Sequence, residues 1–148
     1  MAYVSRGFIP QTSLASNLGF TRPMYIPAGN ATATALYDIV KVSTSGSTAD
    51  TAGVPAGLMG CVRVSDKDDV PCGVIVGFIA DPDYLNQTYR SASTARVALV
   101  NYDPQVVLEA QEDGNGTTLA VARIGTPVDL VPGSIDTVTG TSGMQISS

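Results

Sequence analysis

The sequence predicts an all-β domain, a small sandwich or barrel with an extended N-terminal arm. Three observations point there. Runs rich in Val, Ile and Tyr recur at short intervals, and Gly, Pro, Asn and Asp punctuate them. No stretch sustains the 3.6-residue apolar period of an amphipathic helix. The 148 residues suit one domain, large enough to bury a core without staples.

Residues 1–23 carry isolated large apolar side chains: Tyr3, Phe8, Ile9, Leu14, Leu18 and Phe20. Ser, Thr, Asn, Gly and Pro separate them. Such a segment forms no core of its own and reads as an arm. It borrows burial either along its own domain or on a partner, so these six residues are candidate interface residues.

Residues 24–148 read as a single β domain. MYIPA (24–28) is a short strand, ended by Pro27 and Gly29. NATATA (30–35) suits a loop or a weak edge. LYDIVKVS (36–43) alternates, with Leu36, Asp38, Val40 and Val42 on one face, although Asp38 interrupts that face. A low-complexity loop (43–57) leads to LMGCVRVS (58–65), a further strand. Asp66, Lys67, Asp68 and Asp69 form a charged turn, from which VPCGVIVGFIA (70–80) pairs back as a hairpin.

The stretch 73–113 is the densest part of the chain. It holds the apolar runs GVIVGFIA and ARVALVNY (95–102), each followed by an Asp-Pro pair, and then QVVLEAQ (105–111). Between the two runs, residues 81–94 read as loop with one helical turn at 83–86. Tyr84, Tyr89 and Arg90 are its large residues. They either cover the end of the β-domain or form a contact surface, since Tyr and Arg are enriched at interfaces. Asn115 and Gly116 predict a hairpin turn between QVVLEAQ and TTLAVARI (117–124). Two short β-type pieces follow, PVDLV (127–131) and MQIS (144–147).

The chemistry is sparse. No His is present, which removes the usual general base and the Ser-His and Cys-His pairs. There is no phosphate-binding Gly-Lys loop. Most carboxylates sit in turns, and mid-strand Glu109 is the one candidate for a carboxylate hydrolase. The Asp66/Asp68/Asp69 cluster lacks the spacing of a calcium loop and reads as turn chemistry. Cys61 and Cys72 read as buried thiols, with a disulfide between neighbouring strands as the alternative; two Cys do not fill a zinc shell. These features point away from an enzyme, a cofactor and a metal.

Net charge is -5 and the eight basic residues are scattered, so a nucleic-acid partner is not expected. The longest apolar run has eight residues, far short of the roughly 18 that suggest a membrane-spanning helix. The start, MAYVSRGFIPQTS, lacks the apolar core of a secretory signal. Only 14% of residues are charged, which suits the packed surfaces of an assembly.

One resemblance adds to these readings. YIPAGN with ALYDIVKV, then PCGVIVGF, YRSASTARVALVNYDPQVVLEAQED and GSIDTVTGTSGMQIS cover most of residues 25–148. Together they resemble the capsid decoration, or cement, proteins of tailed bacteriophages. A departure is Asn101 and Tyr102, where such chains carry two acidic residues before the Asp-Pro. The resemblance implies a non-enzymatic virion protein of jelly-roll-like or β-tulip-like build. It would be made in the host cytoplasm and bind the major capsid protein on the outer surface of the head. There it would bridge capsomers as a homotrimer or, second, a homodimer. Another virion component, such as a head-fibre base or tail-associated adaptor, is the alternative.

Overall fold

A computed structural model describes residues 5–13, 20–48, 54–115 and 118–148. The strands are β1 (Ile9–Ser13), β2 (Thr21–Ile26), β3 (Ile39–Ser43), β4 (Gly60–Arg63), β5 (Gly73–Phe78), β6 (Arg96–Asn101), β7 (Val106–Glu109), β8 (Leu130–Val131) and β9 (Gln145–Ile146). One 3-10 turn, Val121–Arg123, is the only helical element among the described residues. The protein is all-β, as its punctuated apolar runs predict.

Five strands close into a barrel in the order β2-β4-β3-β5-β6. The β2–β6 pair is antiparallel from Thr21↔Asn101 to Ile26↔Arg96, and a parallel pairing at Tyr25↔Gly60 seals the barrel. Closure leaves these strands no open edge. The interior is filled by Met24, Ile26, Val40, Cys61, Ile75, Ala98 and Val100. Met24 and Ile26 on one strand and Ala98 and Val100 on the next keep the two-residue period that turns alternate side chains inward.

A second core lies outside the barrel wall. Phe8, Ile39, Val64, Val74 and Met144 form it, with Leu108, Leu130 and Ile146 packed against them. Its cover is two small sheets, β1 with β7 and β8 with β9. Strand β5 therefore serves both cores, with Ile75 inside the barrel and Val74 outside it. Burial on both faces is why GVIVGFIA and ARVALV read as nearly continuous apolar runs.

A buried polar cluster ties the C-terminal segment to this wall. Asp38 Oδ1 lies 2.9 Å from Arg63 Nε, although that N–H is not aligned as a hydrogen bond. The Ser142 hydroxyl and the Ala35 amide donate to the same carboxylate. Arg63 also donates to the Gly133 carbonyl, and the Met144 amide to Ser142 Oγ. Burial pushes the Asp38 carboxyl above its usual range, against the opposing pull of Arg63, Ser142 and Ala35. Gly7 passes beside this cluster at φ +75, where a Cβ would meet the Ser142 Cβ at 2.5 Å and the Tyr37 carbonyl oxygen at 2.6 Å. That close approach seats the neighbouring Phe8 in the second core.

Several expectations are corrected. The strands β4 and β5 are not a hairpin: β3 lies between them and pairs with both. The charged turn instead begins a crossover, held by its own groups. Asp69 accepts from the Ser65 and Asp66 amides and from Lys41, and Asp66 accepts from the Asp68 amide. No hairpin joins β7 to residues 118–124, because β7 pairs with β1 and residues 121–123 turn as 3-10. Residues 83–86 make successive turns and no helix. Asp38 precedes β3 and is buried, so it does not alternate within a strand.

Of the segment read as an arm, residues 9–13 are β1 of this domain and residues 21–23 already belong to β2. Residues 1–4 and 14–19 lie outside the described residues. Both cysteines are free thiols. Cys61 pairs with Val42, and the Cys72 amide bonds the Val40 carbonyl on the opposite edge of β3. Two strand spacings of roughly 10 Å separate their backbones, beyond disulfide reach. Cys61 is buried as expected and its thiol is pushed up to about 12, first by burial and then by nearby Cys72; Cys72 itself is only half-buried.

Candidate functional site

The barrel has two ends of different character. The β5–β6 pair separates them, a distance of roughly 20 Å over six residues of strand. Residues 79–95 join β5 to β6 at one end, which we call the loop end. The start of β5 and the end of β6 lie at the other, the groove end.

At the loop end two arginines are buried. Arg90 Nε donates to the Thr94 carbonyl at 2.7 Å, Nη1 to Thr32 at 2.6 Å, and Nη2 to Pro27 at 2.9 Å and Asn30 at 2.8 Å. Its own amide and carbonyl pair with Thr34. The planar fork of the guanidinium thus gathers the turn after β2 and the strand approach to β6. Burial lowers its pKa to about 10, which leaves it charged at neutral pH. Arg96 bonds the carbonyls of Ile79, Tyr89 and Gln87 and lies over the Phe78 ring, 4.8 Å from its centroid. So anchored, the loop presents Tyr84 and Leu85 to solvent, Leu85 at 74% exposure.

The groove end is apolar. A groove of about 420 Å³ runs between the barrel wall and the outer strands, with Phe8, Val74, Leu108, Val128 and Leu130 in its lining. Asp103 is its one charged lining residue. Tyr102 lines the groove and also packs on Phe20, with ring centroids 6.1 Å apart. Arg22 sits over the same Tyr102 ring at 5.5 Å. Phe20 and Tyr102 are both substantially exposed. Four residues before groove-lining Val128, the 3-10 turn and its cap hold Val121 and Ile124 in solvent, at 82% and 81% exposure.

The residues singled out from sequence divide accordingly. Phe20 and Tyr84 are exposed as a contact surface requires, and Tyr89 and Ile9 are half-buried. Phe8 and Arg90 are corrected: Phe8 is buried in the second core, and Arg90 spends its donors on backbone carbonyls inside the domain. Tyr3, Leu14 and Leu18 lie outside the described residues. The structure does not bring these residues together, because Phe20 and Tyr84 stand at opposite ends of the barrel. Sequence reasoning missed Leu85, Tyr102, Val121 and Ile124. A 3-10 turn places residues three apart on one face, so Val121 and Ile124 carry that signal only once the turn type is known.

Glu109 is exposed at the surface of β7, where its carboxylate accepts from Gln11 at 2.6 Å. Among the described residues, no three His, Cys, Asp or Glu gather in a metal-holding cluster. No family model matches the sequence, and comparison with curated proteins and with solved structures finds no match either.

Proposed function

We propose that this protein is a virion structural component that binds the outer surface of a tailed-phage head and bridges neighbouring capsomers. The resemblance across residues 25–148 suggests the role. The geometric observation that carries it is the pairing of a filled, internally tied barrel with large apolar side chains held in solvent at both ends. A barrel filled by its own side chains favours a contact role over a substrate-binding one.

In this reading Tyr84 and Leu85 at the loop end, with Phe20 at the groove end, meet the major capsid protein. Each such side chain contributes about 1.5–3 kcal/mol when fully buried, before ordering costs. Repetition over a shell multiplies weak contacts through avidity. The role uses no catalytic step, cofactor, nucleic acid or membrane.

The test is sedimentation of purified protein with empty heads that lack it. Wild type is expected to pellet with the heads, and Tyr84→Ser/Leu85→Ser to bind at least about tenfold more weakly with its fold intact. Wild type remaining in the supernatant would overturn the proposal, and undiminished binding of the double variant would remove the loop end from the contact. Deleting residues 1–20 is a poor test, because it takes Phe8 and β1 out of the domain.

A further inference from the structure

Residues 118–129 carry a pair of exposed aliphatic side chains on one short turn. The 3-10 turn is built by hydrogen bonds from the Arg123 amide to Ala120, the Ile124 amide to Val121, and the Thr126 amide and hydroxyl to Arg123. Val121 opens the turn and Ile124 caps it, three residues on, so the two stand over one another. The turn thus holds a preformed aliphatic knob that the described residues leave in solvent. Arg123 stands beside the knob, the one charged residue between Asp113 and Asp129. The apolar groove begins four residues on, at Val128.

We propose that the knob of one copy seats in the groove of a second copy, reciprocally, about a two-fold axis. Three observations select a second copy as the occupant. First, knob and groove are adjacent: four residues span at most about 14 Å, so an axis passing between them lets both copies insert at once. Such an interface is isologous, and it closes at two copies. A head-to-tail ring would need knob and groove on separate faces. Second, the exposed charges complement one another. The knob carries Arg123, whereas exposed Asp129 stands between the groove-wall residues Val128 and Leu130. Third, both halves are preformed, the knob by its own turn and the groove by Phe8, Leu108 and Leu130 of the second core, so little ordering cost attends association.

This inference does not depend on the capsid reading, and its test uses purified protein without heads. Analytical ultracentrifugation should show wild type as a dimer. Ile124→Asp on the knob and Val128→Asp on the groove wall should each weaken self-association by about 30-fold or more, as loss of a central anchor does. Val121→Asp is a second knob variant. Each should keep the circular dichroism and melting temperature of a folded barrel, since all three positions are exposed. The decisive arm is a 1:1 mixture of Ile124→Asp and Val128→Asp, which leaves one intact knob facing one intact groove. It should form a heterodimer that neither variant forms alone. A monomeric or trimeric wild type would overturn the proposal. So would folded variants that stay dimeric, or a mixture that stays monomeric.

Discussion

The loop end and the groove end solve opposite problems with the same barrel. At the loop end, backbone carbonyls of irregular segments converge on two guanidinium groups, four on Arg90 and three on Arg96. Buried cations normally seek carboxylates, but here backbone oxygens take that place. At the groove end the polar groups are few and the surface is aliphatic or aromatic. The difference teaches where shape is self-determined. The loop end completes its own bonding and holds its form alone, whereas the groove end keeps apolar area that association can bury.

The largest expected effect breaks the loop end. Arg90→Ala removes four charge-assisted hydrogen bonds, at about 1 kcal/mol or more each, so a loss of about 4 kcal/mol is expected in urea denaturation. Arg90→Lys should recover little of it, because an ammonium cannot reproduce the planar fork. A loss below about 1 kcal/mol would show that water replaces the guanidinium. Phe8→Ala tests the groove end and should cost about 3 kcal/mol by emptying the second core. Val→Ala changes at the exposed Val121 should stay within about 0.5 kcal/mol, marking that knob as surface.

Between these lies the pH dependence. The folded-state pKa of Asp38 is raised above its ordinary 3.8, so the native state holds that proton more tightly than the unfolded chain does. Stability from this group is therefore present at low pH and declines as pH rises through the raised value. Asp69 is held at about 2, chiefly by Lys41, so its contribution is present above about 4 and is lost as pH falls toward 2. Melting temperature should therefore peak on the acid side of neutrality, and Asp38→Asn should flatten the decline toward pH 7. A wild-type profile without that decline would contradict the burial of the carboxyl. The smallest effect concerns thiols: a maleimide should label half-buried Cys72 in the native protein well before Cys61. Equal rates would show that the barrel opens as a unit.

Much of the strand inventory was legible in the sequence. Burial on both faces gives β5 its Val-Ile-Val run and β6 its Val-Ala-Leu-Val run, and inward alternation marks Met24 and Ile26. The exposure of the contact candidates was legible only in part. Phe20 and Tyr84 stand exposed, but nothing in the residue type of Arg90 distinguishes a surface cation from one wrapped in carbonyls. Backbone acceptors carry no residue signature, so such a site has no motif.

The amino-acid order by itself determined that this chain is all-β and where most of its strands lie, because local apolar period and turn residues set those. Only the tertiary structure decided which strands meet. It placed β3 between β4 and β5, folded β1 onto β7, and turned residues 121–123 into a knob where a hairpin was expected. Pairing depends on closing long loops against non-local contacts, and such contacts leave no trace in any short window of sequence.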